Sequence, residues 1–95
     1  MAFDGRRHCP MGVPTLLTSE DVSSITIQSL TSGNVWIIGT VGAAVPTSVE
    51  TGLKLQEGAV ILNEYLADLF PGIAGVSRVY AWPESSAADL KVSHA

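Results

Sequence analysis

Apolar and polar positions alternate in several short stretches, and turn-forming residues separate them. Residues 52–62 (GLKLQEGAVIL) organise this pattern. Leu53 and Leu55 alternate with Lys54 and Gln56, and Ala59, Val60, Ile61 and Leu62 form a continuous apolar second arm. A period of two marks a strand with one buried face. The stretch therefore predicts a hairpin turning at Gln56, Glu57 and Gly58. Residues 24–30 (SITIQSL) predict a strand with Ile25 and Ile27 on one face and Thr26 and Gln28 on the other. The cluster at 31–34 is rich in residues that tolerate positive φ. Residues 35–38 (VWII) then predict a strand apolar on both faces, with Trp36 opposite Val35 and Ile37. The simplest pairing is a hairpin over residues 24–40. One face of the second strand has to meet another sheet or a partner.

The remaining elements are shorter. Residues 39–49 form a long connection rich in Gly, Ala and Thr, within which 41–45 could add an edge strand. In residues 63–70 (NEYLADLF), Tyr65, Leu66, Leu69 and Phe70 fit a helical stripe, but Pro71 and Gly72 stop it after about two turns. A helical turn and a continued strand are both compatible with that segment. Residues 76–82 (VSRVYAW) predict a strand with Val76, Arg78, Tyr80 and Trp82 on one face and Ser77, Val79 and Ala81 on the other. After a turn at 83–87, residues 89–93 predict a closing strand with Leu90 and Val92 inward, as a final hairpin. Residues 1–21 show no periodicity and are broken by Gly5, Pro10, Gly12 and Pro14. The expected organisation is an extended N-terminal arm over 1–21 and a small antiparallel β-sandwich or barrel over 22–95. The arm carries Phe3, Met11, Val13, Leu16 and Leu17, too many apolar residues for a plain solvated linker. Terminal disorder and docking along a neighbouring subunit are its two open outcomes.

Composition adjusts this picture. With 95 residues the chain is one small domain, and such domains gain from a partner surface. Charged residues make up only 15%, against about 25% in typical soluble domains. Either a covered surface or an unusually apolar core accounts for that shortfall. The net charge of −4 argues against nucleic acid as the main partner, because phosphate binding needs clustered Lys and Arg. No apolar run is long enough to span a membrane. Residues 6–10 (RRHCP) do not make a signal peptide, so the expected site of folding is a cytoplasm.

Chemistry-bearing residues do not converge. His8 and Cys9 are adjacent on the irregular arm, a poor geometry for a thiolate–imidazole pair. Cys9 is the single cysteine, which excludes an intrachain disulfide and leaves a free thiol or an interchain bridge. Glu64 and Asp68 would share a face only on a helix, where such pairs are usually solvated. No ligand cluster suits a metal, and no glycine loop suits a phosphate, so neither metal nor cofactor is expected. Arg6 and Arg7 supply too little charge for nucleic-acid affinity. Trp36, Tyr80 and Trp82 suit partner contacts or, as an alternative, a sugar-stacking platform.

The order of motifs from Ile25 onward resembles the small β-sandwich virion proteins of tailed bacteriophages. Their pattern is a first strand, a Val-aromatic-aliphatic-Gly strand, a Gly-aliphatic-x-Leu-x-x-Gly segment, and a Tyr-Ala hairpin ending in Val-x-x-Ala. Here the matching positions are Val35, Trp36, Ile37 and Gly39; Gly52, Leu53, Leu55 and Gly58; and Tyr80, Ala81, Val92 and Ala95. About three quarters of the chain is covered, and each motif alone is ordinary strand-and-turn grammar. The long arm and the segment 63–75 depart from the pattern. The resemblance implies a structural part of a phage particle, a capsid decoration (cement) protein assembled in the bacterial cytoplasm and carried on the virion. It transfers no catalytic residues and implies no enzyme. The implied partners are the major capsid protein or other virion proteins, with homo-oligomers on the particle. Phe3, Leu16, Trp36, Tyr80 and Trp82 are the candidate contacts, and the arm is suited to reach adjacent subunits. A head–tail, tail or fibre module and a carbohydrate-binding module are the alternatives.

Overall fold

A computed structural model describes residues 3–18, 20–30, 34–50, 52–56, 58–84 and 86–94. The expected turns at 31–34, 56–58 and 83–87, and the motif position Ala95, fall wholly or partly outside these residues. Among the described residues the strands are β1 (Phe3–Cys9), β2 (Thr15–Leu16), β3 (Ser24–Ser29), β4 (Val35–Thr40), β5 (Leu53–Leu55), β6 (Val60–Tyr65), β7 (Arg78–Pro83) and β8 (Ala88–His94). One helical turn, α1 (Leu66–Leu69), lies between β6 and β7. The strands form two antiparallel sheets, ordered β1-β8-β3-β6 and β2-β7-β4-β5. The chain is thus all-β, as the alternation predicts, in the arrangement of a small sandwich.

The core lies between the sheets. Ile25 and Ile27 of β3, Val35 and Ile37 of β4, Val79 and Ala81 of β7, and Leu90 and Val92 of β8 fill it. Their inward faces match the alternation in sequence, because successive strand residues point to opposite sides. Each of the Ile, Leu and Val side chains contributes about 1.5–3 kcal/mol of burial. Leu66 and Phe70 plug the core from α1 and its end, while Tyr65 stays exposed. The ambiguous segment therefore does both things: β6 runs on to Tyr65, and a single turn follows. Within β6, a bulge with Asn63 at φ 45° shifts the register with β3 between Ile61 and Glu64.

None of the three expected hairpins forms. β3 and β4, β5 and β6, and β7 and β8 each split between the two sheets. They occupy matching places in the two strand orders, as do β1 and β2, so each sequence-adjacent pair arches across the core. Period-two alternation identifies the buried face but is blind to the hydrogen-bonded neighbour. Pairing Ile25 and Ile27 side by side with Val35 and Ile37 would leave one apolar face uncovered. Setting them opposite each other buries both. The one consecutive pair within a sheet is β4–β5, joined by residues 41–52. The edge strand expected at 41–45 is instead a turn. Ala44 donates to the Val41 carbonyl, and Gly42, at φ 56°, gives its N–H to Ser77 Oγ at 2.9 Å.

The expected arm is also corrected. Phe3–Cys9 pairs with β8 along its whole length, from Phe3 opposite His94 to Cys9 opposite Ala88. Thr15 and Leu16 pair with β7, and Leu17 N–H continues the ladder to the Val79 carbonyl. Phe3, Gly5, Arg7 and Cys9 face inward while Asp4, Arg6 and His8 face out. Gly5 and Arg7 on the inner side hide this alternation. Arg7 is tolerated there because its guanidinium lies 3.9 Å over the Phe3 ring. On the outer side, Asp4 and Lys91 form an ion pair.

Candidate partner-binding face

The outer face of the β2-β7-β4-β5 sheet collects the aromatic residues. Register sets Trp36 opposite Trp82, Ile38 opposite Tyr80 and Thr40 opposite Arg78. Leu16 lies opposite Tyr80 on the other side, and Lys54 opposite Trp36. Two rows result: Leu16, Tyr80 and Ile38; and Trp82, Trp36 and Lys54. Ile38 and Tyr80 are buried although they point away from the core. At the end of the β4–β5 connection, Gly52 closes against Ile38. A Cβ on Gly52 would sit 3.2 Å from Ile38 Cγ1 and from the Ile37 and Val49 carbonyl oxygens, so a larger residue requires those neighbours to give. Trp36 and Trp82 remain half-exposed. With Gly12, Thr47, Ser48, Val49, Pro83 and Glu84 they line a cleft of about 330 Å³.

Polar groups hold the tryptophans in place. Trp36 Nε1–H donates to Glu84 Oε2 at 3.0 Å. The Lys54 ammonium lies 5.5 Å from the Trp36 ring centroid and 3.5 Å from the same carboxylate oxygen. An exposed cation–π contact of this kind contributes about 0.5–1 kcal/mol. Lys54 and Glu84 also neutralise each other at the rim, leaving an apolar, nearly uncharged platform. At the far end of the sheet, Asp21 accepts from Arg78 Nε at 2.6 Å and from Ser77 Oγ at 3.3 Å, pinning residues 20–22 to β7.

Of the candidate contacts, Leu16, Trp36, Tyr80 and Trp82 share this face. Trp36 and Trp82 line the open cleft, Leu16 is half-buried, and Tyr80 is covered. Phe3 lies on the other sheet, between Arg7 and a stacked His94 ring 6.0 Å away. The cleft residues Thr47, Ser48, Val49 and Glu84 carried no sequence signal, because only the fold brings residues 47–49 beside Trp82.

The titratable residues are dispersed. His8 points outward, with Nδ1 2.8 Å from Asp89 Oδ1, while Cys9 points into the core. Strand alternation alone separates the two side chains. The thiol expected on an exposed arm is fully buried, which removes the interchain bridge from this conformation. Burial pushes its pKa up to about 11, only partly offset by a hydrogen bond with Thr15. Below the unfolded-chain pKa near 9 the thiol is neutral in both states, and its contribution is complete. As pH climbs towards 11, the unfolded chain gives up its proton first, so stability falls. Two pKa units correspond to about 3 kcal/mol. Cys9→Ala should flatten the loss between pH 9 and 11 in denaturant titrations, relative to the native chain. An identical pH slope in both proteins would refute the coupling.

Glu64 sits on β6 and Asp68 on α1, so they do not share a helical face. Among the described residues no three His, Cys, Asp or Glu gather to hold a metal ion, and no helix is long and apolar enough to cross a membrane. No family model, curated protein or solved structure matches the chain.

Proposed function

We propose that the chain is a structural protein of a tailed-phage particle, a decoration (cement) protein that binds the outside of the head. The observation that carries this reading is the half-exposed Trp36–Trp82 platform on the outer face of a sheet. Large aromatic side chains in a well-formed depression are typical anchors of protein–protein contact. The low charge content and the motif order shared with small virion sandwiches support the same reading. The mechanism is burial of this apolar face against the major capsid protein or a neighbouring virion subunit. That burial adds contacts across the shell which resist internal pressure. The reading assigns no reaction to the chain.

The test is titration of purified heads with labelled protein. Saturation at hundreds of sites per head is expected, with affinity reduced tenfold or more by Trp82→Ala. Saturation at a dozen sites would move the protein to the neck or tail. A second reading has its own support: Thr47 and Ser48 place hydroxyls, and Glu84 a carboxylate, around the tryptophan platform. That arrangement also suits a sugar ring. Glycan-array binding abolished by Trp82→Ala, together with no binding to heads, would select a carbohydrate-binding module instead.

A further inference from the structure

The four sheet edges differ in how they are protected. β2 and β5 are only two and three residues long, and β1 carries outward Asp4, Arg6 and His8. Short or charged edges resist pairing with other chains. β6 is the exception: its side chains facing away from the core begin with Val60 and Leu62, 47% and 69% exposed. Its backbone is equally open. The Ala59 carbonyl accepts from Ser29 N–H at 3.0 Å, which turns the odd-numbered peptides of β6 towards β3. Ile61 faces Ile27 in the same phase, and Asn63 N–H goes to Thr26 Oγ1. Antiparallel alternation therefore aims the N–H and C=O groups of Val60 and Leu62 outward, along the free edge.

We propose that two copies of the chain pair through β6, antiparallel, on a two-fold axis at Ile61. Val60 then exchanges both backbone hydrogen bonds with Leu62 of the second copy, and Leu62 with its Val60. The same register stacks the two exposed aliphatic side chains against their counterparts. Ala59 meets Asn63, so the paired stretch opposes no like charges. An isologous two-fold contact requires this self-complementarity. The bulge at Asn63 ends the pairing on each side, and the two four-stranded sheets join into one of eight strands. A contact this short covers well under the ~800 Å² per partner of a standard interface. It is therefore weak in dilute solution and fills when copies are held close together. Each copy carries a net charge of −4, so added salt strengthens the pairing by screening repulsion. The inference stands apart from the tryptophan cleft and from the virion reading.

Sedimentation equilibrium of the full chain from 10 µM to 1 mM tests it. A monomer–dimer equilibrium that tightens between about 0.05 and 0.5 M salt is expected. Leu62→Lys should weaken it at least tenfold, by setting an ammonium against Val60 of the other copy. Adding Val60→Glu to that variant sets Glu against Lys twice across the axis and should recover most of the association. Both positions are exposed, and thermal melts verify that the fold is retained. A strictly monomeric native chain at 1 mM, a dimer indifferent to Leu62→Lys, or a double variant no better than the single one would each overturn the proposal.

Discussion

Removing residues 1–9 should unfold the domain. β1 pairs residue by residue with β8. Its Cys9 is fully buried in the core beside Ala88, and Phe3 packs against the core margin. Net hydrogen-bond contributions of about 0.5–1.5 kcal/mol each, taken along a seven-residue ladder, already approach the whole stability of a small domain. The burial of Cys9 and Phe3 adds to that loss. The deletion also converts β8 into a new free edge, which invites aggregation. The expected product is insoluble, or shows collapsed amide dispersion in its NMR spectrum. A dispersed spectrum with a melting temperature within a few degrees of the intact chain would contradict the assignment of β1. A deletion through residue 18, which removes β1 and β2 together, therefore cannot test whether residues 1–18 reach an adjacent subunit. Any loss of binding would follow from loss of the fold.

Gly39→Ala should be the most damaging single-methyl addition on β4. Gly39 faces inward beneath the end of α1. A Cβ there would lie 2.6 Å from Phe70 Cδ2, 2.8 Å from Phe70 Cγ and 2.8 Å from Val76 Cγ2. The obstacle is space, since the φ of Gly39 is ordinary, and the neighbours are the buried Phe70 ring and Val76, which packs against the core. Overpacking of this kind costs about 1–3 kcal/mol, and each kcal/mol lowers the melting temperature of a domain this size by about 4–8 °C. Adding Phe70→Leu should cost less in the Gly39→Ala background than in the native chain, because the smaller side chain vacates the contested volume. Strict additivity of the two changes, or an unchanged melting temperature for Gly39→Ala alone, would show that the ring is not seated on Gly39.

The inward faces of β3, β7 and β8 were legible because Ile25 and Ile27, Val79 and Ala81, and Leu90 and Val92 alternate without interruption. The pairing was not legible, since a strand with the same faces serves either a hairpin or an arch across the core. β1 was hidden by Gly5 and Arg7 on its inner side, where Arg7 lays its guanidinium over the Phe3 ring. Trp36 and Trp82 stood out as candidate contacts from their chemistry alone. Their direct opposition follows from β4 pairing with β7, a contact between residues 46 apart in the chain. Tyr80 looked equally available but is buried, and Gly52 closes on its row-mate Ile38; a Gly-rich connection carries no periodic signal of where it will lie. Phe3, by the same token, belongs to the other sheet.

The central claim is that this sandwich works on a particle surface in many copies. The measurement that addresses it most directly is the copy number of the chain in purified particles from its source, by quantitative mass spectrometry against the major capsid protein. Hundreds of copies per particle are expected of a protein that decorates the head lattice. A dozen or fewer would contradict the decoration role, and complete absence would contradict the virion reading itself.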